Sequence, residues 1–215
     1  MGEDPSSTPL DRLERAAKGD AESWRQLLAQ HHDRLRRMVA LRLDPRLQGR
    51  VDPSDVLQEA YLEAAQQLGD YLRNPTMPFF LWLRLLAAHR LGRTHRFHLG
   101  AQQRDAGREA RLERQTGSDV SSEILAACLL GRVERPSEQV ARRELHERLQ
   151  ALLERLSAAD RNVLALRHFE QLSNVETAQV LGISATAAGK RYVNALTRLR
   201  ALVAEDPDAL EGWQL

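Results

Sequence analysis

The sequence is short of the residues that build metal, redox and membrane sites. Its 215 residues include one cysteine, Cys128, so neither an internal disulfide nor a C-x-x-C motif can form. The seven histidines lack metal-ligand spacing, and the glycine-rich phosphate motifs and the G-x-S-x-G motif are missing. No run reaches the roughly 18 apolar residues of a membrane span, and residues 1–9 contain no apolar signal core. We therefore expect a cytoplasmic protein that is not an enzyme, with no cofactor, metal or membrane insertion.

Aromatic residues are scarce as well, at 5% of the chain, and runs typical of strands are missing. Leu, Ala, Arg, Glu and Gln dominate instead, and these residues favour helices. The composition therefore predicts an all-α protein. A net charge of +1 does not by itself indicate a nucleic-acid partner.

The chain divides into two small helical domains joined by a linker. Helical periodicity is clear in 10–99 and again in 137–204, whereas Gly, Ser and Gln interrupt residues 100–136. We expect 1–9 to be a disordered tail, 100–136 to be a linker with one short helix near Ser122–Leu130, and 205–215 to be a second tail. Cys128, in an apolar stretch, is expected to be a buried small side chain.

Helix starts are well marked. Asp20 can cap the helix that follows it, and Asp52 with Pro53 opens another. That second helix is expected to end at Gly69. The string from Ser173 to Glu176 is an S-x-x-E capping box.

The segment Ser173–Arg200 has the spacing of a helix-turn-helix. Ala178 suits the close approach of two helices, and Gly182 follows where the chain must turn, before a new N-cap at Ser184. The last helix is expected to bury Ala188, Tyr192, Ala195, Leu196 and Leu199. The opposite face near its start is a candidate for DNA contacts, through Ser184, Thr186, Ala187, Lys190, Arg191 and Asn194. The alternative is an ordinary solvated face on a helical hairpin.

Two strings resemble the sigma-70 family. DPSDVLQEAYLEAAQQL, followed by FFLWLRLLAAHRL, is similar to the family's second conserved region, and the segment from Leu156 to Arg200 is similar to its fourth. Nothing resembles the third region, which is typical of the extracytoplasmic-function (ECF) group. The resemblance implies an alternative sigma factor that binds core RNA polymerase and promoter DNA, with the β′ clamp and β flap as contact points. An anti-sigma factor is a further partner that the resemblance allows.

The resemblance also implies roles for residues of the N-terminal domain. Asp55, Gln58 and Glu59 share one helix face and match the family's polymerase-docking motif. The part that melts and reads the −10 element corresponds to a stretch with aromatic and cationic side chains, from which we select Tyr71, Phe79, Arg84, His89, Arg90, Arg93 and Arg96. Trp82, within an apolar run, is expected in the core.

The sequence departs from the family pattern in three places, one of which is Gly92–Arg96, where the family often has an Asp and paired arginines. His89 stands where the family usually has Asn, and Gly189 where a larger polar residue is usual. Two other functions remain open at this point: a LuxR-type helix-turn-helix regulator that acts without polymerase, and a helical adaptor that does not bind DNA.

Overall fold

The helices of the computed structural model begin and end close to the sequence signals. The structure describes residues 9–99, 120, 122, 125–126 and 139–205, and every regular element in these ranges is helical. The elements are α1 (Pro9–Ala17), α2 (Ala21–Arg42), α3 (Pro53–Arg73), α4 (Phe79–Leu99), α5 (Gln139–Glu154), α6 (Ala158–Leu164), α7 (Asn174–Leu181) and α8 (Ala185–Glu205). A 3₁₀ turn lies at Pro45–Leu47, and a π-helical turn at Ala165–Phe169 continues α6.

Several sequence expectations fall outside the described residues. These are Cys128, most of the predicted linker, and the two predicted tails, except that Pro9 lies in α1 and Glu205 in α8. In the part of the chain that the structure describes, no helix is both long and apolar enough to cross a lipid bilayer.

The predicted N-caps are confirmed. The Asp20 carboxylate accepts hydrogen bonds from the backbone amide of Glu22 at 3.1 Å and from the Ser23 hydroxyl at 2.7 Å. The Asp52 carboxylate accepts from the Ser54 amide at 2.7 Å, with Pro53 as the first residue of α3. These side chains satisfy backbone amides that a helix start leaves without partners.

The expectation that α3 ends at Gly69 is wrong. The helix continues for another turn to Arg73, and its C-cap is Asn74, directly before Pro75. A residue before proline is disfavoured in the helical conformation, which makes Asn74 the stronger stop. Gly69 does not have a positive φ, so it does not end the helix and only lowers the stability of the helix slightly relative to alanine.

The chain forms two compact units, and their boundaries differ from the predicted ones. The N-terminal unit comprises 1–39 and 49–104, and the C-terminal unit comprises 40–48 and 105–215. Val120, Leu125 and Ala126 lie in the predicted linker, yet each is at most 1% exposed in the hydrophobic core of the C-terminal unit. These three residues are therefore part of a folded domain. The burial of their apolar side chains is favourable even though the segment shows only weak helical periodicity.

The C-terminal core packs against one face of α8. Leu149, Leu153, Val163 and Phe169 are buried in the same cluster as Ala195. Arg42 and Glu170 form a buried charged pair in this unit: a nitrogen of Arg42 donates to the carboxylate of Glu170, and the two side chains are 1% and 0% exposed. The Arg42 guanidinium also donates to Asn162 Oδ1 at 2.8 Å.

Candidate nucleic-acid interface

Local hydrogen bonds fix the turn between α7 and α8. The Ser173 hydroxyl accepts from the Glu176 amide, and the Glu176 carboxylate accepts from the Ser173 amide at 2.7 Å, so the predicted capping box is complete. Gly182 ends α7 in the left-handed conformation, with φ at 63°. The amide of Ile183 then donates to the Ala178 carbonyl at 3.0 Å. This is the sharp turn that the helix-turn-helix prediction requires.

Helix α8 separates into the two predicted faces. Ala188 and Ala195 are fully buried, Leu199 is 7% exposed, and the partly buried Tyr192 and Leu196 pack against the same core. The other side, near the start of α8, carries the candidate DNA-contacting residues: Thr186, Ala187, Lys190 and Asn194 are exposed and Arg191 is half-buried. The Ser184 hydroxyl accepts from the Ala187 amide at 3.2 Å, so this candidate contact also serves as the N-cap.

Two polar contacts orient α8 within its unit, and the sequence did not indicate either of them. Arg198 Nη1 lies 2.8 and 2.9 Å from the two carboxylate oxygens of Asp160, which is almost buried near the start of α6. The Tyr192 hydroxyl and His168 Nε2 are 2.9 Å apart. Arg198 is thus engaged in packing α8 against α6.

A recess of about 490 Å³ lies on the exposed side of α8. It is lined by Asn174 of α7 and by residues from three successive turns of α8, namely Ala185, Thr186, Gly189, Lys190, Val193 and Asn194. The Asn174 amide nitrogen donates to the Ala185 carbonyl at 2.8 Å, which holds that side chain at the wall of the recess.

The predicted docking residues are brought together on α3 of the N-terminal unit. Asp55, Gln58 and Glu59 are all exposed, whereas Val56 and Leu57 between them and Ala60 after them are buried. The i, i+3, i+4 spacing therefore produces one acidic and amide-bearing surface patch, as the sequence predicted.

This patch is not separate from the arginines of α4. Arg90 pairs with Glu59, and Arg93 pairs with Glu63, so two residues selected for DNA contact are ion-paired across to α3. Both pairs are at least partly exposed, which makes each worth only about 0–1 kcal/mol and easily exchanged. Sequence reasoning missed Glu63, which lies 30 residues before its partner and in no motif.

The aromatic candidates lie in a cluster inside the N-terminal unit. The Tyr71 ring stacks on Trp82 with centroids 4.5 Å apart, and Phe79 lies 5.8 Å from the same ring. Tyr71 and Phe79 are half-buried, and Trp82 is buried as predicted. The Tyr71 hydroxyl donates to the Met77 carbonyl at 2.9 Å, and burial raises the pKa of Tyr71. Other side chains of the N-terminal unit thus cover part of the Tyr71 and Phe79 rings, so only the remaining part of each ring is accessible.

Arg84 must be removed from the candidate DNA surface. Its side chain is 3% exposed, within a stretch of α4 where Phe80, Leu81, Trp82 and Leu83 are also buried. The first half of α4 is enclosed on all sides, so the guanidinium cannot reach a phosphate. His89 and Arg96, further along the helix, are exposed.

A helix-turn-helix whose second helix presents polar and cationic side chains defines the class of this chain, a helical DNA-binding protein. A family model described as "Sigma-70, region 4" matches residues 146–199, which contain this motif.

Similarity to known sigma factors extends beyond this match to most of the chain. The sequence is 28% identical to the RNA polymerase sigma factor CnrH of Cupriavidus metallidurans, over 90% of this chain and 93% of that protein. It is 26% identical to the RNA polymerase sigma factor NccH of Alcaligenes xylosoxydans xylosoxydans, over 88% and 91%. A shorter match, 46% identical over 34% of this chain and 40% of the relative, is to the RNA polymerase sigma-E factor of Streptomyces coelicolor.

The fold has a counterpart among solved structures. The structure of CnrH in complex with the cytosolic domain of CnrY covers 91% of this chain and 96% of its own, with a TM-score of 0.53 and 24% identity. Residues 146–199 thus match region 4 of the sigma-70 family, and over most of its length the chain is similar to RNA polymerase sigma factors.

Proposed function

We propose that this chain binds core RNA polymerase and directs it to promoters, where it starts transcription. The observation that carries the proposal is the helix-turn-helix at Ser173–Arg200, which the sigma-70 region 4 match covers up to residue 199 and which exposes cationic and small polar side chains on α8. The chemistry of transcription would belong to the polymerase, and this chain would supply recognition.

The C-terminal unit would read the −35 element as duplex DNA. In a helix-turn-helix, residues near the start of the second helix approach base edges in the major groove. Thr186, Ala187, Lys190 and Asn194 are exposed at this position, and Arg191 beside them can reach a phosphate. The same unit would contact the β flap of the polymerase.

The N-terminal unit would dock on the polymerase through its acidic patch. Asp55, Gln58 and Glu59 offer carboxylate and amide oxygens to a basic helix, for which we propose the β′ clamp. Because the ion pair of Glu59 with Arg90 is partly exposed, a polymerase arginine or lysine could replace Arg90 at little cost in free energy.

The surface around α4 would hold the melted −10 element. His89 and Arg96 are exposed, and Arg90 and Arg93 would join them once their pairs with Glu59 and Glu63 are exchanged. Tyr71 and Phe79 could offer only their uncovered edges to unstacked bases, since Trp82 covers part of each ring.

Neither DNA contact needs to be strong alone. Contacts of this kind depend on phosphate charges and weaken steeply with salt. When both units are held on one polymerase, the second contact forms within a complex, and linked sites of this kind gain effective concentration.

A protein that sequesters the sigma factor is a further proposed partner. CnrH, which shares this fold, was solved with the cytosolic domain of CnrY. We propose that this chain likewise has an anti-sigma partner, since the two folds match over most of both chains.

In vitro transcription tests the proposal directly. Core polymerase would be mixed with this chain and a library of promoter fragments from its own genome. We expect transcripts that start at defined positions and that are absent with core polymerase alone. If no complex with core forms and no specific transcript appears, the sigma function is wrong; duplex DNA binding without core would then favour a LuxR-type regulator.

A further inference from the structure

Gly189 occupies the centre of the candidate recognition face without any packing requirement for glycine. It lies inside α8, in ordinary helical conformation, where glycine is less favourable than alanine. A β carbon at this position would meet its nearest neighbour, Asn174 Oδ1, at 3.6 Å, which is an ordinary van der Waals contact. The fold would therefore accept a side chain here.

The consequence of the missing side chain is the recess on α8. Ala185 precedes Gly189 by one turn and Val193 follows it by one turn, so these three residues lie along one line of the helix and present an apolar floor. Val193 is 58% exposed and is among the large apolar side chains that the structure leaves in solvent. The rim is polar, with Thr186, Lys190 and Asn194 on α8 and the fixed amide of Asn174 on α7.

The chemistry of this recess fits one feature of the major groove. Polar donors and acceptors line the base-pair edges there, and the 5-methyl group of thymine is the apolar group that projects among them. Lys190 at the rim supplies positive charge toward the neighbouring phosphates, which complements duplex DNA. A long side chain at position 189 would fill the space that the methyl group needs, whereas the methyl group of alanine would take only part of it.

We propose that Gly189 is a specificity-determining residue, which admits the methyl group of one thymine of the −35 element to the apolar floor formed with Ala185 and Val193. This inference rests on the proposed function, because it assumes that α8 reads duplex promoter DNA. Asn174 acts as a positioning residue, whose hydrogen bond to the Ala185 carbonyl keeps the recess open on the α7 side.

The test compares thymine with deoxyuridine, which differs only by that methyl group. Duplexes that the full-length chain binds would first be selected from a randomised pool, and each thymine of the selected site would then be replaced singly. We expect one replacement to weaken binding about fourfold, the effect of removing one buried methylene-sized group. In Gly189→Gln the ratio of thymine to deoxyuridine affinity at that position should fall to about one.

Control variants separate loss of folding from loss of discrimination. Gly189→Ala should raise the melting temperature, because alanine favours the helix, and should keep part of the thymine preference. Ala201→Gln, on an exposed turn of the same helix outside the recess, should keep the full fourfold ratio.

The outcomes distinguish the inference from the proposed function. If no duplex is selected and core polymerase is not directed to any promoter, the proposed function fails. If a site is selected but no thymine position responds to deoxyuridine, or if Gly189→Gln keeps the wild-type ratio, the role of Gly189 is refuted while DNA reading stands.

Discussion

The buried ion pair of Arg42 and Glu170 makes a quantitative prediction about the C-terminal unit. Glu170→Gln keeps the shape of the side chain but removes its charge, so the buried Arg42 guanidinium loses the carboxylate that Glu170 supplies and keeps its hydrogen bond to Asn162. Breaking a buried pair by removing one partner costs about 3–5 kcal/mol. Because the glutamine carbonyl can still accept a hydrogen bond from Arg42, we expect the lower end, about 3 kcal/mol.

A loss of this size is large for a domain. Domains are stable by about 5–15 kcal/mol, so about 3 kcal/mol raises the unfolded fraction by a factor of about 150. The chain forms two units, and a single denaturant midpoint would mix their transitions. Amide hydrogen exchange in α6 and α7 measures the C-terminal unit alone, and we expect protection there to fall by about two orders of magnitude.

The chain provides a matched control and a rescue. Arg155 and Glu205 also form an ion pair in this unit, but their side chains are 51% and 58% exposed, so Glu205→Gln should cost at most about 1 kcal/mol. Replacing both buried partners, as Arg42→Met with Glu170→Leu, should restore most of the stability, since apolar replacements of buried pairs are often neutral or stabilising. If Glu170→Gln costs no more than Glu205→Gln, the reasoning from burial is refuted.

Three further predictions concern polymerase docking, DNA contact and pH. Gln58→Ala with Glu59→Ala should abolish binding to core polymerase, measured by native gel or interferometry, with helix content unchanged in circular dichroism. Arg191→Ala should weaken binding to −35 duplex DNA and reduce the slope of log affinity against log salt by about 0.9, the share of one phosphate contact. Asp20 should titrate at about pH 2 in carbon-detected NMR, because hydrogen bonds from the Ser23 hydroxyl and amide and from Arg15 lower its pKa to about 2.

Each of these predictions has an outcome that contradicts it. Unchanged core affinity in the double variant would refute the docking patch, and Gln66→Ala, exposed on the same helix, should leave it unchanged. An unchanged salt slope in Arg191→Ala would exclude a phosphate contact there. The folded pKa of Asp20 lies below its ordinary value of 3.8, so its contribution to stability is present above about pH 4 and is lost as the pH falls toward 2. A titration midpoint near 4 would mean that the cap is not formed in solution.

Signals that act within one helical turn were sufficient to predict the local structure. The caps at Asp52 and Ser173 and the turn at Gly182 each involve residues at most five positions apart, and all three are confirmed. The helix end at Gly69 was wrong because the stop came from a neighbouring proline, and a glycine without positive φ is only a weak break.

Features that depend on residues far apart in sequence could not be predicted. Arg42 and Glu170 are separated by 128 positions, and nothing near either residue indicates that it is buried. Arg84 looked like an available cation because periodicity does not show that the first half of α4 is enclosed on every side. Val120 and Leu125 looked like linker residues because their burial depends on a core formed by other helices.

The ion pairs between α3 and α4 change how substitutions on the candidate DNA surface must be interpreted. Arg93→Ala would remove a possible phosphate contact and would also leave the carboxylate of Glu63 without this partner, next to the incoming DNA. Loss of affinity in that variant therefore combines a lost attraction with a new repulsion. Glu63→Gln removes the repulsion and frees Arg93, and the double variant completes a thermodynamic cycle that isolates the contact of Arg93 with DNA. Only the part of the effect that survives in the Glu63→Gln background measures a contact between Arg93 and a phosphate.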